Sequence, residues 1–239
     1  IGGPHPTGIS GPLRPEYAQT TTTSPSTPDA NERVLNSPYS AQRRFVSIEK
    51  LADGKTRSTE AGGSEARDSE GRSYSAGERH WTYLDHGKPV LKSEMLYRIH
   101  DPVSNTDTRW DSTSNEAKVV HWPKGERTGA VDTSAFTGPV PGSVIEKLGV
   151  RTIEGVVAEG TRSSYTIPGQ QDKSGKLLAV VHETWYCPEL KIVVLETNDD
   201  PRTGTTKNEL VSIARGEPDT AKYLPPAGYV IHDIQVPVQ

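Results

Sequence analysis

A short segment in the second half of the chain carries the residue types that perform nucleophilic or metal chemistry. His182, Glu183 and Cys187 fall within six consecutive residues, and a thiol beside an imidazole is the usual pairing of a cysteine nucleophile with its base. In a strand, residues five positions apart point to opposite faces, so His182 and Cys187 would not meet. One cysteine and one histidine also fall short of the four ligands of a structural zinc site. We therefore expect structural roles here and no activity that depends on Cys187.

A second candidate is the run Asn198-Asp199-Asp200, whose side-chain oxygens are of the kind that bind calcium. Their spacing does not match an EF-hand loop, and Asn and Asp are common in turns for backbone reasons alone. A turn is the main expectation and a calcium site its alternative. The sequence holds no Walker A motif, no GxSxG and no HExxH. We expect no cofactor, no metal and no enzymatic activity.

Composition narrows the classes of protein further. The chain has 239 residues, a formal net charge of -4 and one cysteine, so an intramolecular disulfide is excluded. Its apolar runs are short, as in Ile192 to Leu195, which excludes a membrane-spanning helix. A slightly acidic net charge gives no argument for a nucleic-acid partner. The chain does not start with methionine, because its only methionine is Met95. Either removal of a leader or trimming of the chain accounts for this.

Residues 1–40 differ in composition from the rest of the chain. They contain 7 Pro, 4 Gly and 11 Ser or Thr. Proline fixes φ and lacks an amide donor, so this stretch suits neither a helix nor a central strand. The sequence predicts two parts, an extended arm over residues 1–40 and a β-rich domain over residues 41–239.

Within the domain, turn signals separate short runs with a period of two. Asp53-Gly54 predicts a hairpin turn, a second turn follows at residues 68–71, and residues 95–100 alternate as in a strand. We expect a three-strand meander over residues 95–122. Short helices are predicted over residues 143–148 and after Pro218. The fold class is mainly β, a curved antiparallel sheet or open half-barrel with one or two short helices and a long extended N-terminal arm. Basic residues that alternate with acids along the strands indicate a solvated face.

Two apolar patterns could serve assembly. At the C-terminus, Ile234, Val236 and Val238 share one face of a predicted strand. This strand could be the edge of its own sheet, or it could add to the open edge of a neighbouring copy. In the arm, Ile9, Leu13 and Tyr17 recur every four residues, a spacing that favours anchors laid into grooves of another copy.

Several phrases of the chain resemble a known family. They are Asp53-Gly54-Lys55, residues 67–72 and 148–155, Trp185-Tyr186-Cys187-Pro188-Glu189-Leu190, Asp200-Pro201-Arg202, residues 215–219 and Pro225-Pro226-Ala227-Gly228-Tyr229. They resemble a family of uncharacterised exported proteins abundant in acidobacteria, over about residues 43–233. The C-terminal half is similar in layout to LolA-like lipoprotein-carrier half-barrels. The resemblance implies export and a β-rich fold, and it brings no catalytic residues.

These observations lead to two functional hypotheses. The first is a non-enzymatic exported structural protein that self-assembles through its arm into a surface filament or other homopolymer, so that its partners are other copies of itself. Its location would be extracellular or at the cell surface. The alternative is a LolA-like periplasmic carrier or binding protein for a lipid or other apolar ligand, held on the concave face of the half-barrel.

Overall fold

The computed structural model describes residues 33–123, 142–172 and 174–237. Twelve β-strands and one short 3-10 helix, Thr220–Tyr223, make up most of this part of the chain. In chain order the strands are β1 (Tyr39–Lys50), β2 (Thr56–Arg67), β3 (Ser73–Asp85), β4 (Lys88–Asp101), β5 (Thr106–Asp111), β6 (Glu116–His121), β7 (Val144–Ile153), β8 (Val156–Gln171), β9 (Leu177–Cys187), β10 (Ile192–Asp200), β11 (Gly204–Arg215) and β12 (Val230–Gln235). The predicted mainly β class is confirmed.

All twelve strands belong to one open sheet, in the order β12-β6-β5-β4-β3-β2-β1-β11-β10-β9-β8-β7. Strands adjacent in the chain pair antiparallel within β1–β6 and within β7–β11. The two groups are joined where β1 pairs antiparallel with β11. The exception in direction is β12, which pairs parallel with β6 at one edge. The sheet is thus mostly antiparallel and unclosed, with β7 and β12 at its two ends.

The turn chemistry of the sequence is confirmed where it was clearest. Gly54 has φ +82, and its amide donates to the Leu51 carbonyl at 2.9 Å, which closes the predicted turn between β1 and β2. At the next turn Gly71 has φ +83, and Asp68 accepts a bond of 2.8 Å from the Arg72 amide. Glycine suits both positions because it reaches positive φ without steric cost. The meander of β4, β5 and β6 is also confirmed.

The predicted helix over residues 143–148 is wrong, because β7 occupies that stretch and pairs with β8. The pairing begins at the turn Glu154-Gly155, where φ is +47 and +77. Two successive positive φ values are typical of the tightest hairpins, whose twist matches that of the strands. Pairing with β8 then continues along β7 as far as Val144, whose β-branched side chain favours a strand. The other predicted helical turn is confirmed as the 3-10 helix, and Asp219 accepts from the Ala221 amide at 2.9 Å.

Two groups of buried apolar side chains hold the sheet together. The larger group lies mainly on β8–β11 and includes Val156, Ala158, Trp185, Cys187, Ile192, Val194 and Leu210, together with Tyr39 and Ala41 of β1. The smaller group lies on β4–β6 and consists of Ile99, Trp110 and Ala117, covered by Tyr223 of the 3-10 helix. Apolar burial is therefore concentrated in the half of the sheet formed by β7–β11.

The sheet divides between β2 and β3. These strands pair over only five positions, from Gly63↔Gly77 to Arg67↔Ser73. In contrast, β1 and β2 stay paired as far as Lys50↔Thr56, and β3 and β4 as far as Asp85↔Lys88. Among the described residues, no third strand pairs with the β3–β4 hairpin between residues 80 and 93. Two separate hairpins therefore diverge from the Gly63–Gly77 pair, and we call this division the fork.

Candidate functional site

The strand registers place a defined set of side chains on one face of the first half of the sheet. Arg43 pairs with Gly63, Gly63 with Gly77, Gly77 with Leu96, and Leu96 with Asp111. Because directly paired residues share a face, these five positions lie on the same side. We call this side the groove face. Residues at even offsets from them along each strand belong to it as well.

A trough runs over β3 on the groove face. Between residues 73 and 77, β3 presents only small residues on this side, Ser73, Ser75 and Gly77, whereas its neighbours present longer side chains such as Glu65 and Arg98. The resulting open cavity has a volume of about 1250 Å³ and is lined by residues of β1–β6. This exceeds the roughly 300–1,000 Å³ of typical small-molecule pockets. The trough is large enough for a ligand with a long chain.

One wall of the trough is built around Glu65. Its carboxylate accepts a hydrogen bond from the Tyr39 hydroxyl at 2.7 Å and from Nε of Arg43 at 2.9 Å. The Arg43 guanidinium also donates to Oδ1 of Asn208 at 2.8 Å, which links β1, β2 and β11. Burial, with the nearby Glu65 charge, raises the pKa of Tyr39, so its hydroxyl remains a donor over the physiological range. The wall is thus a fixed hydrogen-bonded network.

Arg67 supports this wall from its buried end. It is almost fully buried, and its guanidinium donates to the Ser37 carbonyl at 2.9 Å and to the Leu190 carbonyl. The guanidinium carbon also lies 5.1 Å from the centroid of the Tyr39 ring. A buried cation is tolerated when its donors are satisfied and an aromatic face lies against it. Arg67 therefore connects the trough to the larger apolar core.

The opposite wall is built around Asp107. This carboxylate is fully buried and accepts from Nη2 of Arg98 at 2.8 Å and from Nε1 of Trp122 at 3.1 Å. Burial opposes its charged form, but hydrogen bonds from His100 and Arg98 outweigh burial and lower the pKa of Asp107 to about 2. Asp107 is therefore ionised at neutral pH. It holds the Arg98 guanidinium at the side of the trough.

Towards the fork, the groove face adds several partly exposed apolar side chains. Leu96 is 38% exposed, Phe45 is 36% exposed and Tyr83 is 38% exposed. Trp81 lies on the same face of β3 as Tyr83, and the Arg79 guanidinium carbon is 5.4 Å from its ring centroid. Partly exposed large apolar side chains on one face are typical of a binding surface. The trough therefore has a charged end near Arg98 and an apolar end near the fork.

The first group of sequence candidates does not form a reactive site. His182 pairs with Asn198 and its Nε2 lies 2.8 Å from Glu196, whereas Cys187 pairs with Ile192 and is fully buried in the core. Glu183 accepts from Nε of Arg162 at 2.8 Å. The prediction that His182 and Cys187 occupy opposite faces agrees with this register.

The acidic run expected as a turn instead forms the end of β10, and the turn follows it at residues 201–203. Asp200 accepts from the amide of Arg202 at 2.9 Å and from its Nη2 at 2.6 Å, which closes the turn between β10 and β11. Within the described ranges, no group of three or more His, Cys, Asp or Glu residues is arranged to hold a metal ion. No helix in the same ranges is long and apolar enough to cross a membrane.

The residues proposed for assembly divide into two sets. Ile9, Leu13, Tyr17 and Val238 lie outside the described residues. Ile234 pairs with Val120 in β6 of its own sheet, and the amide of Val236 donates to the His121 carbonyl at 3.1 Å. The C-terminal strand is thus the edge of its own sheet, one of the two interpretations that the sequence left open. Assembly through these residues stays a prediction.

The trough is not predicted from the sequence, because basic residues that alternate with acids along the strands indicate a solvated face. The signal was present in the turns. The turn pairs Asp101 with Thr106, and each step back along β4 corresponds to one step forward along β5. Three steps from the turn, Arg98 therefore lies opposite Arg109. The same reasoning applied to β5 and β6 brings Arg109 beside Lys118. What could not be foreseen is the buried Asp107 behind them.

No family model and no curated protein matches the chain. Among solved structures, an uncharacterised conserved protein from Thermus thermophilus is similar at 7% identity, a TM-score of 0.40, and coverage of 87% of this chain and 94% of that one. LprF from Mycobacterium bovis is similar at 15% identity, TM-score 0.36, and coverage of 81% and 90%. A putative outer membrane lipoprotein-sorting protein domain from Vibrio parahaemolyticus is similar at 10% identity, TM-score 0.24, and coverage of 78% and 88%.

Proposed function

We propose that the protein is a non-enzymatic carrier or binding protein of the cell envelope that holds an amphipathic ligand with a long apolar part. The observation that supports this most directly is the open trough of about 1250 Å³ over β3, with partly exposed Leu96 and Phe45 on the same face. A ligand chain laid along small residues would cover these side chains and remove apolar surface from water. The periplasm is the location we propose, because the sequence resembles exported carriers.

The test is to fill the trough from its floor. A Cβ built on Gly77 meets nothing within 4 Å and the residue does not have positive φ, so Gly77→Phe adds a ring to the trough without backbone strain. The matched control is Gly62→Phe, since Gly62 also has open space but lies on the opposite face. Binding would be measured by titrating each variant with a fluorescent long-chain fatty acid.

We expect the parent and Gly62→Phe to bind the fatty acid with equal affinity, and Gly77→Phe to bind at least about tenfold more weakly, because the ring excludes the chain. Equal melting temperatures would show that both variants are folded. A parent protein that binds no fatty acid or lysolipid, or a Gly77→Phe variant that binds as well as Gly62→Phe, would contradict the carrier proposal.

The filament hypothesis is not the function that we propose, because none of the described residues supports it. Its test remains the triple change Ile9→Ser, Leu13→Ser and Tyr17→Ser, followed by sedimentation. Assembly of the parent, lost in the triple variant, would restore it as the leading hypothesis.

A further inference from the structure

The polar end of the trough contains three basic residues in a row across adjacent strands. Arg98 of β4 pairs with Arg109 of β5, and Arg109 pairs with Lys118 of β6. All three lie on the groove face and line the trough. We call Arg98, Arg109 and Lys118 the basic row. Like charges directly opposite each other in a sheet are destabilising, so the fold alone gives no reason for the row.

The charges of the basic row are balanced unevenly. Arg98 is paired with the buried Asp107 carboxylate at 2.8 Å. Arg109 and Lys118 are exposed, and in the described part of the chain neither forms an ion pair or a side-chain hydrogen bond. Two cationic groups at the side of the trough are therefore available to a ligand.

Carboxylates on the same face are occupied elsewhere. Oδ1 of Asp111 accepts from the amides of Thr113 and Ser114 at 2.8 and 2.9 Å, which fixes it in the turn after β5. Glu116 lies 3.5 Å from Nε2 of His232 on the outer strand β12. Neither acid forms an ion pair with the row, although both lie on strands of the row.

The sheet behind the row is packed against aromatic side chains. On the opposite face of β4 and β5, the rings of Tyr97 and Trp110 stack with centroids 5.1 Å apart and planes within 6°. Trp110 is buried beneath the 3-10 helix residue Tyr223. Pairing in the ladder fixes the spacing of the backbone positions from which the three side chains extend, so binding an anion needs no rearrangement of the strands.

Resting on the proposed function, we infer that the ligand is an anionic amphiphile whose phosphate or carboxylate head group binds the basic row. Its chain runs along β3 towards Leu96 and the fork. Guanidinium and ammonium groups form charge-assisted hydrogen bonds with such anions, and these are stronger than bonds between neutral groups. In this proposal β4–β6 recognise the head group of the ligand, and the trough recognises its chain.

The experiment compares two lysophospholipids with the same acyl chain, lysophosphatidylglycerol and lysophosphatidylcholine, below their micelle concentrations. The test variant is Arg109→Gln with Lys118→Gln. The control is Arg44→Gln with Lys50→Gln, which removes the same charge from the opposite face of β1. We expect the parent and the control to bind the anionic lysolipid about tenfold more tightly than the zwitterionic one, and the test variant to show less than about twofold preference.

The outcomes separate the two proposals. If the parent binds both lysolipids equally, or the test variant keeps its preference, the head-group inference is overturned while the carrier proposal stands. If the parent binds neither lysolipid nor fatty acid, the carrier proposal fails as well. Inorganic phosphate provides a further arm, because a row that binds free phosphate as tightly as the anionic lysolipid is a site for a free anion and not for a lipid head group.

Discussion

The two halves of the sheet bury different kinds of groups. In the half formed by β7–β11, the fully buried side chains are apolar, such as Val156, Val194 and Cys187. In the half formed by β1–β6, the groove face buries charged residues, each with partners, such as Asp107 with Arg98 and Glu94 with Arg79. Apolar burial is the main source of folding free energy, whereas buried charges add little net stability once desolvation is counted. The comparison indicates that β7–β11 supply most of the apolar stabilisation, whereas β1–β6 carry the charged groups and the trough.

The largest effect should come from the apolar half. Leu210 is fully buried in the larger core group, so Leu210→Ala should lower the free energy of unfolding by about 2–5 kcal/mol. The matched change on the groove face is Leu96→Ala, where a partly exposed side chain should lose less than about 1 kcal/mol. Urea denaturation followed by tryptophan fluorescence measures both. Similar losses for the two variants would remove the distinction between the halves.

The second effect concerns pH. Because the pKa of Asp107 lies at about 2 in the folded protein and its ordinary value is 3.8, the folded state favours the ionised form. The resulting stabilisation, about 2 kcal/mol, is fully present above about pH 4 and is lost as the pH falls towards 2. Asp107→Asn should be less stable at pH 7 and should show a smaller loss of stability over that window.

Denaturant midpoints at pH 7, 4 and 2.5 would measure this linkage. The control is Asp199→Asn, which changes an exposed carboxylate on β10. A parent protein whose midpoint does not fall between pH 4 and 2.5 would show that the Asp107 network contributes no pH-dependent stability. Lysolipid binding at pH 7 by Asp107→Asn would then report whether Asp107 positions Arg98.

The smallest effect returns to the apolar half, where one charge covers a buried ring. The Arg151 guanidinium carbon lies 3.8 Å from the centroid of the buried Trp185 ring. Arg151→Ala should destabilise the protein by about 0.5–1 kcal/mol, the usual range for an exposed cation on an aromatic face. Arg151→Lys is the conservative variant and should recover part of the loss. Thermal melting measures both, and an unchanged parent-like melt for Arg151→Ala would contradict the contact.

Local features of this fold follow from sequence, because they depend on neighbours in the chain. The turn at Asp53-Gly54 and the meander through β4, β5 and β6 need only turn residues and a period of two. The C-terminal strand was likewise foreseen from the alternation that includes Ile234. Its parallel pairing with β6 was not, since a parallel partner lies far away in the chain.

The remaining features depend on contacts between distant parts of the chain. The residues next to Arg67 in the sequence do not predict that its side chain is buried against Tyr39. Nor do they predict that it donates to the Leu190 carbonyl, more than a hundred residues away. Similarly, the pairing of β1 with β11 joins the two halves of the sheet, and no periodicity encodes it. The helix predicted over residues 143–148 is wrong for a more local reason, because its strand conformation is set by pairing with the next strand, β8. The trough is likewise hard to predict from the sequence, since its walls come from several strands.

The fork between β2 and β3 leaves the two hairpins beyond it without backbone hydrogen bonds to each other. Each of the two hairpins keeps its own ladder up to its turn, while the junction consists of five pairs that end at Gly63 and Gly77. The hairpins can therefore swing apart or together without breaking a backbone hydrogen bond within either one. A swing of this kind would change the width of the apolar end, whereas the charged end is held by the ion pair of Arg98 with Asp107. A charged end that binds the head group and an apolar end of variable width would let one protein bind chains of different thickness that carry the same head group.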